Sequence, residues 1–171
     1  MNSEALFTLV RSTLLSGLAA RGVTCEVVRA FQTGTVGTPS GPSVTLHHVG
    51  AKRYGHVLRE EVQPTEQGGD FTHIETQWWE TTLQIAAVNA GALDNCQIAS
   101  DILQGDDGLA ALAVERVRPL RITDLRTVQF VNESDQFEAM PNFDVVLVYP
   151  KTVTSTTPQA QQIKGIAHHV N

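Results

Sequence analysis

Six histidines, two cysteines and two pairs of adjacent carboxylates are the side chains of this sequence that could do chemistry. His48 and His56 flank an expected hairpin, where they would be cross-strand neighbours with Glu60 or His73 nearby. Nitrogen and carboxylate donors of that kind are what a zinc ion takes. Zinc sites, however, usually show close ligand pairs such as HxxxH or CxxC, and neither spacing occurs. His47 and His48 are neighbours in a strand, so they point to opposite faces and only one can join a given site. Cys25 and Cys96 stand outside any paired spacing and read as two small buried hydrophobes.

The carboxylate pairs are Glu60-Glu61 and Asp106-Asp107. In a strand the first pair splits to opposite faces and cannot form an acid/base dyad by itself. The second follows Gly105 and fits a turn that caps a helix. The chain has no GxSxG, P-loop or GxGxxG, so acyl transfer and nucleotide-phosphate binding lack their usual motifs. Its residues therefore point away from catalysis and from any cofactor.

The elements that would carry these residues are grouped, not alternating. Asn2 or Ser3 caps a helix to about Arg21, with Leu6, Val10, Leu14 and Leu18 as its apolar stripe and Gly22 just past its end. A strand over 24–32 follows, then the Gly/Pro/Ser/Thr loop 33–42. Two strands, 43–49 and 54–62, are expected on either side of a Gly50-Ala-Lys-Arg turn. After a second loop, 63–70, comes a long strand over 71–90. Two short helices over 95–104 and 106–116, a strand from Pro119 to Phe130, an acidic loop over 132–142 and a last strand over 143–149 complete the reading. Grouping of this kind favours an α+β fold with a largely antiparallel sheet. A single domain over 1–154 followed by an extended arm over 155–171 is the expected organisation.

The strand over 71–90 organises the rest. Its alternation changes phase at Trp78–Trp79: the apolar side is Ile74, Thr76 and Trp78 before that point, and Trp79, Leu83, Ile85 and Ala87 after it. Side chains alternate strictly along a strand, so the switch requires a β-bulge or a change of what the sheet packs against. Trp79 is then a core residue, and Trp78 either meets a partner, where tryptophan is enriched, or packs in a second core on the other face of the sheet.

Charge is segregated. The 171 residues carry a net charge of −6, with 42% hydrophobic and 18% charged residues. From Glu60 to Glu115 there are eleven acids and no Lys or Arg; then Arg116, Arg118, Arg121 and Arg126 come close together. Such asymmetry implies surfaces of opposite sign. The arginines form either a solvated face paired with Glu115 and Asp124, or a docking surface for the acidic stretch of another copy. The mostly acidic body argues against gripping nucleic acid. No apolar run reaches the roughly 18 residues of a membrane helix, and Met1-Asn-Ser-Glu lacks a basic leader, which reads as a soluble intracellular protein.

The N-terminal helix, the Gly/Pro loop, the strand Glu75-Thr-Gln-Trp-Trp-Glu-Thr-Thr-Leu-Gln-Ile, the two short helices and the closing Phe143-Asp-Val-Val-Leu-Val-Tyr resemble the tail terminator (neck) proteins of tailed bacteriophages, over most of the chain to Thr154. The resemblance implies an α+β subunit that assembles into a ring, usually a hexamer. The ring caps the finished tail tube, stops its growth and joins it to the head connector. It implies no cofactor, no metal and no catalytic residue. Partners would be other copies, tube and sheath proteins and head connector or adaptor proteins, in a virion assembled in the host bacterial cytoplasm. DNA would pass through without specific binding. Trp78, Arg116, Arg118, Arg121 and Arg126 are the candidate interface; Glu60, Glu61, Glu75 and Glu80 are candidates to line the lumen and repel phosphates. Two alternatives are another head–tail joining or tube-like virion protein, and a small metal- or ligand-binding α+β domain using the histidines.

Overall fold

A computed structural model describes residues 2–30, 40–66, 69–131 and 137–158. Asn2 opens the molecule as expected: its side-chain oxygen accepts the Ala5 N–H at 2.8 Å and starts α1, Ser3–Ala20. Leu6, Phe7, Val10, Leu14 and Leu18 are buried along one stripe, and Gly22 follows with φ of 72°, the left-handed geometry that ends a helix. After α1 come β1 (Glu26–Arg29), β2 (Ser43–Val62) and β3 (Phe71–Val88). Next are α2 (Ala92–Gln104), α3 (Asp106–Val114), β4 (Arg118–Ile122), β5 (Arg126–Val131) and β6 (Phe137–Thr157). The described strands form one sheet in the order β1-β2-β3-β6-β4, with β5 also on β6. All pairings are antiparallel except β1 with β2. The fold is α+β with a mostly antiparallel sheet.

Helices cover one face of the sheet. Leu83, Ile85 and Ala87 of β3, Phe143, Val145, Leu147 and Tyr149 of β6, and Val44 and Leu46 of β2 all belong to the core that α1 and α2 close. These positions are every second residue, as a half-covered strand requires. Two glycines set how closely the helices approach. A Cβ on Gly17 of α1 would lie 2.7 Å from Ile102 of α2, and one on Gly108 of α3 would lie 1.9 Å from the Ile102 carbonyl oxygen.

The structure corrects four expectations. The hairpin at Gly50–Arg53 does not exist, because 43–62 is one continuous strand against β3. Its glycines mark irregularities instead: the register slips between His48 and Gly50 and again between Tyr54 and Leu58, where Gly55 takes φ of 69°. The expected strand from Pro119 to Phe130 is two strands, interrupted at 123–125, where Thr123 exchanges hydrogen bonds with the Asp144 backbone. The acidic loop is shorter than expected, since residues 137–142 are already strand and pair with β5. Finally, Gly105 and not Asp106 or Asp107 is the N-cap of α3; the two aspartates stand in its first turn, where they complement the helix dipole. Most of loop 33–42 and the chain beyond Pro158 lie outside the described residues.

β3 contains no bulge. It pairs with β6 in one unbroken register from Phe71↔Thr157 to Ala86↔Asn142, and both slips against β2 are extra residues on the β2 side. The change of phase at Trp78–Trp79 is therefore a change of cover. Above it the helices bury one face. Below it, residues 58–62, 71–76 and 152–157 form a three-stranded arm that contributes nothing to the buried core among the described residues. All of β2 from Ala51 to Val62 and of β6 from Lys151 to Thr157 is exposed. At the usual rise per residue the arm extends about 20 Å.

Candidate assembly interface

Cross-strand partners point to the same side of a sheet, so the register assigns each candidate residue to a face. Trp78 lines up with Tyr54 and Pro150 on the face away from the helices; Trp79 lines up with Arg53 and Tyr149 on the helix side. Trp79 packs against the edge of the core, with the Lys151 ammonium 5.0 Å above its ring. Trp78 is half-buried, with the Arg116 guanidinium 5.9 Å from its ring centroid. Arg116 reaches that ring from the turn after α3, where its φ is 59°.

The four arginines do not act alike. Arg118 and Arg121 are exposed and pair in register with Val148 and Val146, which are buried on the face away from the helices; neither arginine forms an ion pair or hydrogen bond with a described residue. The alternative pairing with Glu115 and Asp124 is not made among the described residues. Arg126 is committed within the chain: its Nε donates to Asn142 Oδ1 at 3.0 Å and its Nη2 bridges Asp144. Beside Arg121 lies a cleft of about 280 Å³ lined by Leu103, Leu109, Pro119, Leu120 and Ile122.

The four acids divide between the faces. Glu61 and Glu75 are on the helix side of the arm, where Glu75 meets Arg59 at 2.9 Å and Glu61 lies 3.6 Å from His73. Glu60 and Glu80 are on the opposite side; Glu80 meets Lys52 at 3.1 Å, while Glu60 is exposed with no ion pair to a described residue. Beside Glu60 on that side are Leu58, Ile74 and Val62, an apolar strip continuous with Trp78 and Tyr54. Sequence periodicity placed Ile74 and Trp78 together; it missed Leu58 and Val62, because a false hairpin disguised which side of β2 they share with β3.

The histidine grouping is not formed. His48 and His56 lie eight residues apart on one strand, not across a hairpin, and His48 contacts the Phe7 ring at 6.5 Å between centroids. No three His, Cys, Asp or Glu among the described residues come together as metal ligands would. Asp106 and Asp107 border an open groove of about 520 Å³ with Thr13, Gly17 and Arg21, which brings no histidine or second acid pair to them. Burial pushes the Cys96 thiol up to about 12, leaving it a protonated core residue that donates to the Pro141 carbonyl at 3.4 Å. The half-buried Cys25 is raised for the same reason. No helix of the described residues is long and apolar enough to cross a membrane.

The described residues thus give an α+β subunit whose arm exposes Leu58 and Val62 and whose β4 edge exposes Arg118, Leu120 and Arg121 beside an apolar cleft. A family model described as E217 gateway protein gp29 matches residues 5–159, and the chain belongs to that family: a phage structural virion protein of the gateway, tail-terminator-like kind. The resemblance read from the sequence holds at this level. Among solved structures, the chain is similar to the sheath/tube terminator of the PVC extracellular contractile injection system in its extended state, at 11% identity and a TM-score of 0.48. That alignment covers 96% of this chain and 62% of the other, so the chain spans about three fifths of the terminator's length. A chain of the native gene transfer agent virion is similar at 16% identity and a TM-score of 0.33, covering 84% of this chain and 93% of that one. Neither likeness extends the reading beyond the family. No curated protein sequence matches significantly.

Proposed function

We propose that this virion protein assembles into a ring, a hexamer in the simplest case, that caps the tail tube, ends its growth and joins the tail to the head connector. The observation that carries the reading is membership in the gateway family over residues 5–159. The arm supports it physically. A three-stranded extension none of whose described residues belongs to the buried core gains stability by packing on a neighbour. The partners on this reading are other copies, tube and sheath proteins and the connector, met during assembly in the host bacterial cytoplasm. No reaction is catalysed.

The ring surrounds a DNA path on this reading, and carboxylates along it keep phosphates from sticking. Glu60, Glu61, Glu75 and Glu80 are the proposed lining, with Glu61 and Glu75 on one face of the arm and Glu60 and Glu80 on the other. Replacing Glu61 and Glu75 together by Lys is expected to slow DNA ejection while particles still assemble; unchanged ejection removes the lumen assignment.

Deleting the gene tests the whole reading. Electron microscopy should show tails of uncontrolled length, unjoined to filled heads. Tails of normal length attached to heads in its absence would overturn the proposal.

A further inference from the structure

The sheet order places two unlike strand edges on opposite sides of the molecule. On one side, β1 pairs with β2 only from Ser43 to Leu46, and no described strand pairs with the outer edge of β2 beyond that stretch. It presents Leu58, 65% exposed, Val62, 45% exposed, and between them the unpaired Glu60. On the other side, β4 is the outermost strand and presents Leu120, 53% exposed, beside Arg118, Arg121 and the apolar cleft. Charge agrees with shape. Residues 58–76 hold five carboxylates (Glu60, Glu61, Glu66, Asp70 and Glu75) against one guanidinium, Arg59. Residues 116–122 hold three arginines and no acid.

We propose that the outer edge of the arm, through Leu58, Glu60 and Val62, seats on the β4 edge of a second copy of this chain. Glu60 there meets Arg118 and Arg121, and the two apolar side chains meet Leu120 and its cleft. The contact is made by side chains, not by a continued ladder. Pro119 offers no N–H, and the register slip between Pro119 and Arg121 breaks the regular spacing of that edge. Because the surfaces differ and lie at opposite edges, the contact is head-to-tail and repeats from copy to copy until it closes. This inference rests on the ring reading and names the contact that builds it. It moves Glu60 from the proposed lining to the subunit boundary and leaves Glu61 and Glu75, on the other face of the arm, to the channel.

Sedimentation velocity and electron microscopy of the purified full chain test it, with near-ultraviolet circular dichroism confirming that each variant folds. Glu60→Arg, and separately Arg118→Glu together with Arg121→Glu, should lower the assembled fraction at least tenfold. The chain with all three changes, or an equimolar mixture of the two variants, should restore it, because every contact then again joins opposite charges. Leu120→Asp should abolish assembly without being rescued by either swap. Rings that ignore the one-sided changes, or a combined variant that stays unassembled, overturn this contact and leave the ring reading standing. A wild-type chain that forms no ring, either in solution or in the particle, overturns both.

Discussion

Trp78 and Trp79 are consecutive in the chain and stand on opposite faces of the same strand, Trp79 against the helix-covered core and Trp78 beneath Arg116 on the side away from the helices. The pair marks the level at which the body ends and the arm begins. Two residues of one type are thereby given different work by a single step along β3.

That division predicts unequal effects of truncation. Trp79→Ala should lower subunit stability by about 2–3 kcal/mol, below the full cost of a buried tryptophan because Trp79 is partly exposed. Trp78→Ala should cost the isolated subunit about 1 kcal/mol or less and chiefly reduce assembly. Denaturant melts of unassembled subunits, paired with sedimentation, separate the two. Equal stability losses would contradict the assignment.

The close approach at Ile102 predicts a steep penalty for one methyl group. In Gly108→Ala the new Cβ meets the Ile102 carbonyl at 1.9 Å, and a backbone oxygen cannot rotate away. The variant should lose about 3 kcal/mol or more, at the upper end of overpacking costs. Gly17→Ala, which meets only the Ile102 side chain, should lose less. Thermal unfolding of the two proteins side by side checks the order.

Tyr149 and Thr81 share a buried hydrogen bond, with the Thr81 hydroxyl 3.3 Å from the Tyr149 phenol oxygen. Tyr149→Phe keeps the ring and strands the threonine, and should cost about 1–2 kcal/mol. The double variant with Thr81→Val should recover part of that loss, since no polar atom is then left unpaired. A double-mutant cycle in urea measures it.

Cys96 predicts a defined alkaline limit. Its folded-state value, about 12, is above its ordinary 9.0, so the folded protein holds the thiol proton more tightly than the unfolded chain. The associated stability is complete below pH 9 and disappears as pH rises toward 12. Melting temperature should therefore fall across that window, and Cys96→Ala should flatten this part of the profile. In native protein near pH 8, a thiol reagent should label Cys25 first and Cys96 only after unfolding.

The elements fixed by local chemistry were legible. Asn2, the leucine stripe and Gly22 define α1 without reference to any other part of the chain, and the family resemblance survived comparison. Strand partnership was less legible, because alternation reports which residues share a side and not which strand lies beside them. Gly50 shows the difficulty: a glycine between two apolar runs serves equally for a turn or for a bulge, and only pairing with β3 decides. The same ambiguity hid the surface. Leu58 and Val62 read as half of a hairpin, whereas they lie on the open edge of an arm whose neighbours in space come from residues 71–76 and 152–157. Of the four arginines, sequence proximity grouped Arg126 with the rest, although its position opposite Asn142 and Asp144 gives it an intramolecular partner.

The unbroken pairing of β3 with β6 has a mechanical consequence. Two strands locked in one register over about 50 Å form a stiff beam running from the helix-covered body to the tip of the arm. The slips that could act as hinges lie beside it, in β2 and β4. A push on the arm tip is therefore delivered to the body as a tilt of the whole subunit, not absorbed by bending. Such a lever turns contact at one end of the molecule into displacement at the other.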